Sequence, residues 1–580
     1  MRPKAADSRL GEATRSQNAP AGTGGKARRS RGVWGGIVGG AAIISGVTVA
    51  ARLAGFARWG VFSPMIGSTA LGDAYTAANT IPNVLFEVVA GGGLAVALVP
   101  LLAGPLASGR REDAARTASA LGTWTMAVLV PVAVVVALLA EPIVGLFLSG
   151  PDEAATRQAA ATLLATFAPQ IPLYGIGLVL AGTLQADKRF FWPAAAPLLS
   201  SVTVIAVYWV FGQVTGPQRG DPAALSSGAL AWLGWGTTAG VAVLTLPLLI
   251  PALRAGLRLR PTWRIDRQIA RRALGLAAAG MGALVAQQVS VVVVMWLALA
   301  RGGVGALPTY SYTQAIYVLP YAVLAIPLVT AAFPRLAEHG DRLDSHALAS
   351  TAAVTGRAVG VAGLLGAAAL IAVAPAVERV FSAIDLSGRV VGLAEALTWF
   401  APGLVGFCLM AHTTRVLYTV GRPRLAVAWA GAGWLAVAAV SGLGVLVWTA
   451  GGPDSVGTMR GLGFGSTVGL TMAATGLIFA VRRAASPAAV AGLWRLLGLG
   501  VLAAAVGAVI GRAAGAAVAT GLGGNGLPAW NRLLDPDVLG GVDPWTSLAG
   551  GVAGALVAAA LVAAAAARAD KTLLATLRRS

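Results

Sequence analysis

The sequence predicts an all-α integral membrane protein with about fourteen transmembrane helices. Of its 580 residues, 57% are hydrophobic and only 11% are charged, and the mean hydropathy is +0.75. Soluble domains carry about 25% charged residues, so this chain has too little polar surface to cover a water-soluble body. Its apolar residues form runs of about twenty or more, and each run is long enough to cross a bilayer as a helix.

The apolar runs are rich in Ala, Val, Leu and Gly and show no alternation of polar and apolar positions, which favours helices over barrel strands. The predicted spans are 33–62, 72–103, 117–148, 160–183, 192–212, 226–252, 272–300, 311–333, 352–376, 391–417, 425–449, 462–481, 492–515 and 546–567.

Arginine and lysine concentrate in every second loop, and this asymmetry predicts the orientation of the chain. The clearest case is the loop after the sixth span, which holds Arg254, Arg258, Arg260, Arg264, Arg267, Arg271 and Arg272. A missed helix would invert the pattern downstream, and no inversion occurs. The sequence therefore predicts a bacterial plasma-membrane protein with both termini in the cytoplasm. The net charge of +20 marks this orientation and does not predict a nucleic-acid partner.

The chain repeats two short patterns at a spacing of about 235 residues, which corresponds to six helices. Thr166-Phe167-Ala168-Pro169 recurs as Trp399-Phe400-Ala401-Pro402, and Ile81-Pro82 recurs as Leu319-Pro320. An even number of spans returns the second copy in the same orientation. The repeat thus predicts two six-helix lobes related by a pseudo-two-fold axis along the membrane normal, with a cavity between them and two extra helices.

This repeat divides the chain into four predicted parts. They are a disordered basic cytoplasmic tail at 1–31, an N-terminal six-helix lobe at 32–265, a C-terminal six-helix lobe at 266–484, and two additional helices with a tail at 485–580. The tail ends in Lys26-Ala-Arg28-Arg29-Ser-Arg31, a run that suits contact with the anionic headgroups of membrane lipids.

Motifs for enzymatic chemistry and for cofactors are missing from the sequence. No GxxxxGK[ST] phosphate loop occurs, which excludes an ATP-driven pump encoded in this chain. The sole cysteine, Cys408, and the three histidines, His339, His346 and His412, are too scattered to predict a metal site or a disulfide. The predicted protein is not an enzyme and has no cofactor.

Two arginines lie inside the first apolar run, in the segment Ala51-Arg52-Leu-Ala-Gly55-Phe56-Ala-Arg58. Charges inside a membrane are costly and usually face a cavity or a partner. Two guanidiniums suit a diphosphate, although six residues place Arg52 and Arg58 about 120° apart on a straight helix. A bend at Gly55 could bring both inward. Alternatively, Arg58 reaches the outer interface while Arg52 pairs with Glu87.

The second span carries a polar stripe of Asn79, Asn83 and Glu87, which are spaced by four residues and share one helical face. Such a stripe lines either a substrate cavity or a neighbouring helix, and the sequence leaves both interpretations open. Asp73 lies where this span begins. Pro82 and Pro320 lie within predicted helices, where proline favours kinks and hinge-like motion.

Several of these segments together resemble the MurJ/MviN family of the multidrug/oligosaccharidyl-lipid/polysaccharide exporter superfamily. The resemblance covers about residues 33–425 and includes Arg52-Leu-Ala-Gly55-Phe56-Ala-Arg58, Asp73-Ala74-Tyr75, Ile81-Pro82-Asn83, Val99-Pro100-Leu101-Leu102, Ala186-Asp187-Lys188-Arg189-Phe190, Leu319-Pro320-Tyr321 and Arg415-Val-Leu-Tyr418.

The resemblance implies a lipid II flippase that moves the undecaprenyl-diphosphate-linked peptidoglycan precursor from the inner to the outer leaflet by alternating access. Arg52 and Arg58 would bind the diphosphate with the polar stripe nearby, and Asp73 would belong to the outer gate. The family is driven by ions or by the membrane potential, and the cell-wall synthesis machinery is an implied partner. Where many members carry cavity arginines, this chain has Phe86-Glu87 and Ala315. These replacements resemble the actinobacterial branch, or they mark a paralogue that carries a different lipid-linked glycan.

Three other functions stay open at this point. The same architecture could export another polyprenyl-linked saccharide or a small amphipathic compound. A polyprenyl-phosphate glycosyltransferase would need carboxylates in an outer loop, for which Asp535, Asp537 and Asp543 are the candidates. A membrane scaffold for wall synthesis is the third, although a scaffold gains nothing from the charge of Arg52.

Overall fold

A computed structural model describes residues 46–150, 153–257, 259–264, 266–524, 539 and 541–570. All regular secondary structure in these residues is helical, as the apolar runs predict. The predicted basic tail at 1–31 lies outside the described residues, as do Asp535 and Asp537. Asp543 accepts hydrogen bonds from the backbone N–H groups of Trp545 and Thr546, so its carboxylate caps the last helix.

The described residues contain twenty α-helices. They are 46–65 (α1), Ala70–Phe86 (α2), Gly92–Ala107 (α3), Arg111–Leu138 (α4), Ala140–Gly145 (α5), Ala154–Phe167 (α6), Gln170–Ala186 (α7), Phe191–Val214 (α8), Ser227–Thr245 (α9), Leu249–Arg254 (α10), Arg267–Arg301 (α11), Ala306–Pro320 (α12), Ile326–Asp341 (α13), Ser345–Ile384 (α14), Leu393–Phe400 (α15), Gly403–Thr419 (α16), Pro423–Trp448 (α17), Ser455–Ala484 (α18), Leu493–Leu522 (α19) and Pro544–Ala569 (α20).

Eleven helical segments of the described chain are long and apolar enough to cross a membrane, and α15 with α16 would make a twelfth if that bent pair is one span. The segment with α2 and α3, predicted as one span, is interrupted by a π-helical turn at Glu87–Gly91. The first predicted span lies partly outside the described residues. The chain is a multi-pass membrane protein, and the count of about fourteen spans stays a prediction.

Irregularities of the helices recur at the spacing of the sequence repeat. Pro82 is followed by the π-helical turn Glu87–Gly91, and Pro320 is followed by a π-helical turn at Tyr321–Ala325. Likewise α6 and α7 are separated at Ala168-Pro169, and α15 and α16 meet at Ala401-Pro402 with a bend of 47°. Proline removes a backbone donor in each case, so the repeated prolines explain the repeated breaks.

The last two long helices pack on each other and on α14 through glycines. A Cβ atom added at Gly511 would lie 2.5 Å from the carbonyl oxygen of Gly554, and one added at Gly550 would lie 2.4 Å from that of Gly515. Small residues let helix backbones approach closely where lipid supplies little hydrophobic driving force. The additional helices α19 and α20 are therefore joined to the second half of the chain. The boundaries of the four predicted parts stay predictions.

Candidate functional site

A cavity of about 430 Å³ lies between α1 and the segment containing α12. On α1 it is lined by Arg52, Gly55, Phe56 and Trp59, and on the facing segment by Tyr310, Ser311, Gln314, Ala315, Val318, Leu319 and Ala322. The side-chain amide of Gln314 donates a hydrogen bond to the hydroxyl of Tyr310. Arg52 is the cationic residue of this lining, so the cavity combines one positive charge with amide, hydroxyl and aromatic groups.

The structure places Arg58 away from this lining. Its guanidinium lies 5.8 Å from the centroid of the Trp59 ring, and it interacts electrostatically with Tyr174 and Tyr208. Helix α1 is continuous through Gly55. The two arginines therefore diverge, as the angle of a straight helix requires. Among the described residues neither arginine forms an ion pair within 4.0 Å, so the alternative pairing of Arg52 with Glu87 is not present.

The polar stripe on α2 is half-buried and partly satisfied by its own helix. Asn83 donates from its side-chain nitrogen to the carbonyl oxygen of Asn79 at 2.8 Å and also interacts with Tyr174. Glu87 begins the π-helical turn, and no described cation lies within ion-pair distance of it. Asn83 thus fits the helix-contact interpretation. A substrate role for Asn79, Asn83 and Glu87 stays a prediction.

Asp73 joins the two predicted lobes at the end where α1 and α2 meet, which we call the outer end because the loop charges predict that it faces outward. Its carboxylate is 4% exposed and accepts hydrogen bonds from the backbone N–H groups of Gly305 at 2.6 Å and Leu307 at 3.1 Å. These groups belong to the N-terminus of α12, where the helix dipole favours a negative charge. Asp73 therefore holds the lobes together at this end.

A layer of aromatic rings separates the cavity from the outer end. The ring centroids of Trp59 and Tyr312 are 5.7 Å apart. The ring of the fully buried Phe62 has its centroid 5.6 Å from that of Tyr75 and 6.2 Å from that of Tyr312. The hydroxyl groups of Tyr75 and Tyr208 are 2.8 Å apart. These rings come from both predicted lobes and fill the space between them, so the cavity is closed toward the outer end.

The three predicted hinge residues lie in or beside the cavity-forming segments. Gly55 lines the cavity, and a Cβ atom added there would meet nothing within 4 Å. Pro82 lies within α2 and Pro320 ends α12, each just before a π-helical turn. Single π-helical turns are frequent at functional sites. A hinge function for the three residues stays a prediction.

Replacing Gly55 with alanine tests the hinge directly because the site is open. We expect Gly55→Ala to keep or raise stability, by about 1 kcal/mol at most, since alanine favours a helix over glycine. If bending at Gly55 is part of the transport cycle, the cargo transport rate should fall several-fold. Gly60→Ala is the matched control, since a Cβ atom there also meets nothing within 4 Å and Gly60 does not line the cavity. Equal transport by both variants would rule out the hinge.

Arg415, at the end of the tenth predicted span, is half-buried. In the structure it lies within α16, with its guanidinium 5.7 Å from the centroid of the Phe333 ring. It and Arg52 both interact electrostatically with Tyr321, which belongs to the π-helical turn after Pro320. The charge of Arg415 inside an apolar run is the sequence signal that it faces other parts of the protein.

In the described residues no group of three or more His, Cys, Asp or Glu side chains lies close enough to hold a metal ion. The lining of the cavity offers groups for reversible binding: a guanidinium for an anionic group, amides and hydroxyls for polar groups, and rings for apolar or sugar surfaces.

The sequence of this chain is similar to those of known proteins. The family model described as lipid II flippase MurJ matches residues 62–511. A probable lipid II flippase MurJ from Rhizobium meliloti is 27% identical over 305 residues, which are 51% of this chain and 54% of that protein. A lipid II flippase MurJ from Burkholderia cenocepacia is 27% identical over 383 residues, or 63% of this chain and 70% of that protein. The chain thus spans about half the length of the first of these relatives.

Solved structures show the same fold at low identity. A lipid II flippase MurJ in an inward closed conformation has a TM-score of 0.63 and 16% identity, covering 87% of this chain and 97% of that one. An inward-facing multidrug resistance transporter of the MATE family in the MOP superfamily has a TM-score of 0.59 and 14% identity, covering 75% of this chain and 94% of that one. The all-helical membrane transporter fold predicted from the sequence is confirmed, and its division into two lobes stays a prediction.

Proposed function

This chain belongs to the MurJ family of lipid II flippases, and on that premise we propose that it moves lipid II from the inner to the outer leaflet by alternating access. The observation that carries the proposal is Arg52, which lines a cavity between the two predicted lobes and has no ion-pair partner among the described residues, with the outer end closed. A guanidinium binds phosphate oxygens through two parallel hydrogen bonds, so Arg52 suits a lipid-linked diphosphate.

The distribution of contacts between the two predicted lobes supports alternating access. Asp73 and the aromatic layer hold the lobes together at the outer end, while the cavity lies on the other side of that layer. Cargo enters from the inner leaflet, the contacts at the outer end break, and the cavity then opens outward. The hinges at Gly55, Pro82 and Pro320 allow this movement, and the energy comes from an ion gradient or the membrane potential. Both termini face the cytoplasm, and the wall-synthesis machinery receives the cargo.

A second candidate is export of another polyprenyl-linked saccharide. One observation favours it: Ala315 lines the cavity at a position where the family resemblance implies an arginine, so fewer charges are available for the cargo. Each lost guanidinium removes a charge-assisted hydrogen bond to a diphosphate. The polyprenyl diphosphate is common to both cargoes, and they differ in the attached peptide and sugars.

The function is tested in a bacterium whose own lipid II flippase is depleted. We expect expression of this chain to restore lipid II on the outer leaflet, measured by cleavage of exposed lipid II with an enzyme added outside the cell. The control for expression is an equal amount of the chain that carries Ser68→Cys and Thr309→Cys and whose outer end is locked by oxidation to a disulfide. Correct membrane insertion without restored exposure would contradict lipid II transport. Transport of a peptide-free polyprenyl-diphosphate saccharide in proteoliposomes would then support the second candidate.

A further inference from the structure

Asp385 is a buried carboxylate at the outer end, and no motif in the sequence marks it. It follows α14 directly, is 6% exposed, and accepts six hydrogen bonds in the described structure. Three come from its own half of the chain: the hydroxyl of Tyr312 at 3.1 Å, the hydroxyl of Ser387 at 2.7 Å and the backbone N–H of Ser387 at 3.0 Å. A carboxylate with this many donors is fixed in position.

The other bonds to Asp385 come from the predicted N-terminal lobe. The hydroxyl of Ser63 donates at 2.7 Å, and the backbone N–H of Ser68 donates to both carboxylate oxygens, at 2.9 and 3.2 Å. The backbone N–H of Leu386 donates in return to the carbonyl oxygen of Ser63 at 2.9 Å. Asp385 therefore binds the turn between α1 and α2 across the interface between the lobes.

The close approach at this turn depends on Gly67. Its φ of 73° lies in the left-handed region that favours glycine, and a Cβ atom there would lie 2.8 Å from the carboxylate oxygen Oδ1 of Asp385. The turn and the carboxylate thus fit each other only because position 67 lacks a side chain. This fit explains the φ of Gly67 as a requirement of the contact between the lobes.

Asp73 and Asp385 form a reciprocal pair. Asp73 belongs to the predicted N-terminal lobe and binds backbone N–H groups of the C-terminal lobe, whereas Asp385 belongs to the C-terminal lobe and binds a backbone N–H and a hydroxyl of the N-terminal lobe. Neither carboxylate forms an ion pair with any described cation. The lobes cannot separate at the outer end unless both carboxylates lose these donors, and a buried carboxylate without donors must be hydrated.

We propose that Asp385 is a second latch of the outer gate, a positioning residue that keeps this end closed together with Asp73. The proposal rests on the alternating access argued above, but it does not depend on which lipid is carried. Its consequence is that loss of the Asp385 bonds between the lobes shifts the equilibrium toward the outward-open state, even without cargo.

The test measures entry of a reagent from outside at a buried reporter position. Thr76 is 7% exposed and lies one turn below Asp73 on α2. We would replace the buried Cys408 with alanine, introduce Thr76→Cys, and follow labelling by a membrane-impermeant maleimide added outside intact cells. With Asp385→Asn we expect labelling to be about tenfold faster, equivalent to about 1.4 kcal/mol in the opening equilibrium. Asparagine keeps one acceptor oxygen but replaces the other with an NH2 group and removes the charge, so at least one of the bonds from Ser63 and Ser68 is lost.

Matched variants separate the latch from general loosening. Ser63→Ala removes a bond between the lobes and should raise the labelling rate about threefold, whereas Ser387→Ala removes a hydroxyl bond to Asp385 within one lobe and should leave the rate within about twofold of the parent. Asp543→Asn, which alters an outer-end carboxylate that caps its own helix, should also leave it unchanged. Gel filtration of each variant reports folding. If Asp385→Asn does not fold, the labelling rate of Ser63→Ala is the measurement that tests the proposal.

Two results would overturn the proposal: unchanged labelling in the folded Asp385→Asn variant, or equal increases for Ser63→Ala and Ser387→Ala. Labelling needs no lipid II, so its outcome is independent of the cargo. If the chain fails to expose lipid II but Asp385→Asn accelerates labelling, the latch stands and the proposed cargo fails. If lipid II is exposed normally and labelling does not change, the cargo stands and the latch fails.

Discussion

Replacing Arg52 with alanine is expected to lower the rate of lipid II transport by at least about tenfold. A hydrogen bond to a charged group contributes about 1.5–3 kcal/mol, and Arg52 is the cationic residue that lines the cavity. Its loss leaves the diphosphate with amide and hydroxyl partners alone. The measurement is lipid II exposed by the purified variant in proteoliposomes, compared with the unaltered chain at equal protein content.

Arg58→Ala is the matched control for this prediction. Arg58 lies six residues further along the same helix and carries the same charge, but it packs over Trp59 and does not line the cavity. We expect a loss of less than about threefold for Arg58→Ala, because its guanidinium does not line the cavity that would hold the diphosphate. Arg52→Lys should recover only part of the activity, since lysine lacks the planar pair of donors. Equal losses at both positions would contradict a specific function of Arg52.

The sequence was sufficient for the helices and for the repeat because both depend on local patterns. Runs of apolar residues predict helices wherever they are long enough to span a bilayer, and the paired prolines predict the paired breaks. The divergence of Arg52 and Arg58 also follows from the rotation of 100° per residue along a helix. The bend proposed at Gly55 does not, since it required a departure from regular geometry, and α1 is continuous there.

Contacts between distant segments could not be predicted in this way. Ser63 and Asp385 are 322 residues apart, and nothing in either local sequence indicates that they meet. Asp73 was assigned to the gate only through a family resemblance, and its partners, two backbone N–H groups, carry no sequence signal at all. Arg415 shows the same limit, because its position relative to Tyr321 depends on how α16 packs, not on where its apolar run ends.

A disulfide across the outer end is expected to abolish transport. Ser68 and Thr309 belong to opposite predicted lobes, both are buried, and their hydroxyl oxygens are 3.4 Å apart. With Cys408→Ala as background, Ser68→Cys combined with Thr309→Cys places two thiols within reach of a disulfide after small adjustments. Oxidation with tetrathionate would join the lobes, so the outer end could not open, and lipid II exposure should fall by more than about tenfold.

Reduction of the same protein is its most direct control. Adding dithiothreitol should restore transport to the level before oxidation, and each single-cysteine variant should be insensitive to tetrathionate. Formation of the disulfide is measured by the loss of thiols that a maleimide polymer can label in the denatured protein. If the cross-linked protein transported lipid II at the rate of the reduced protein, opening at this end would not be part of the cycle. The gate formed by Asp73, Asp385 and their partners would then be a static contact, and cargo would have to leave by another path.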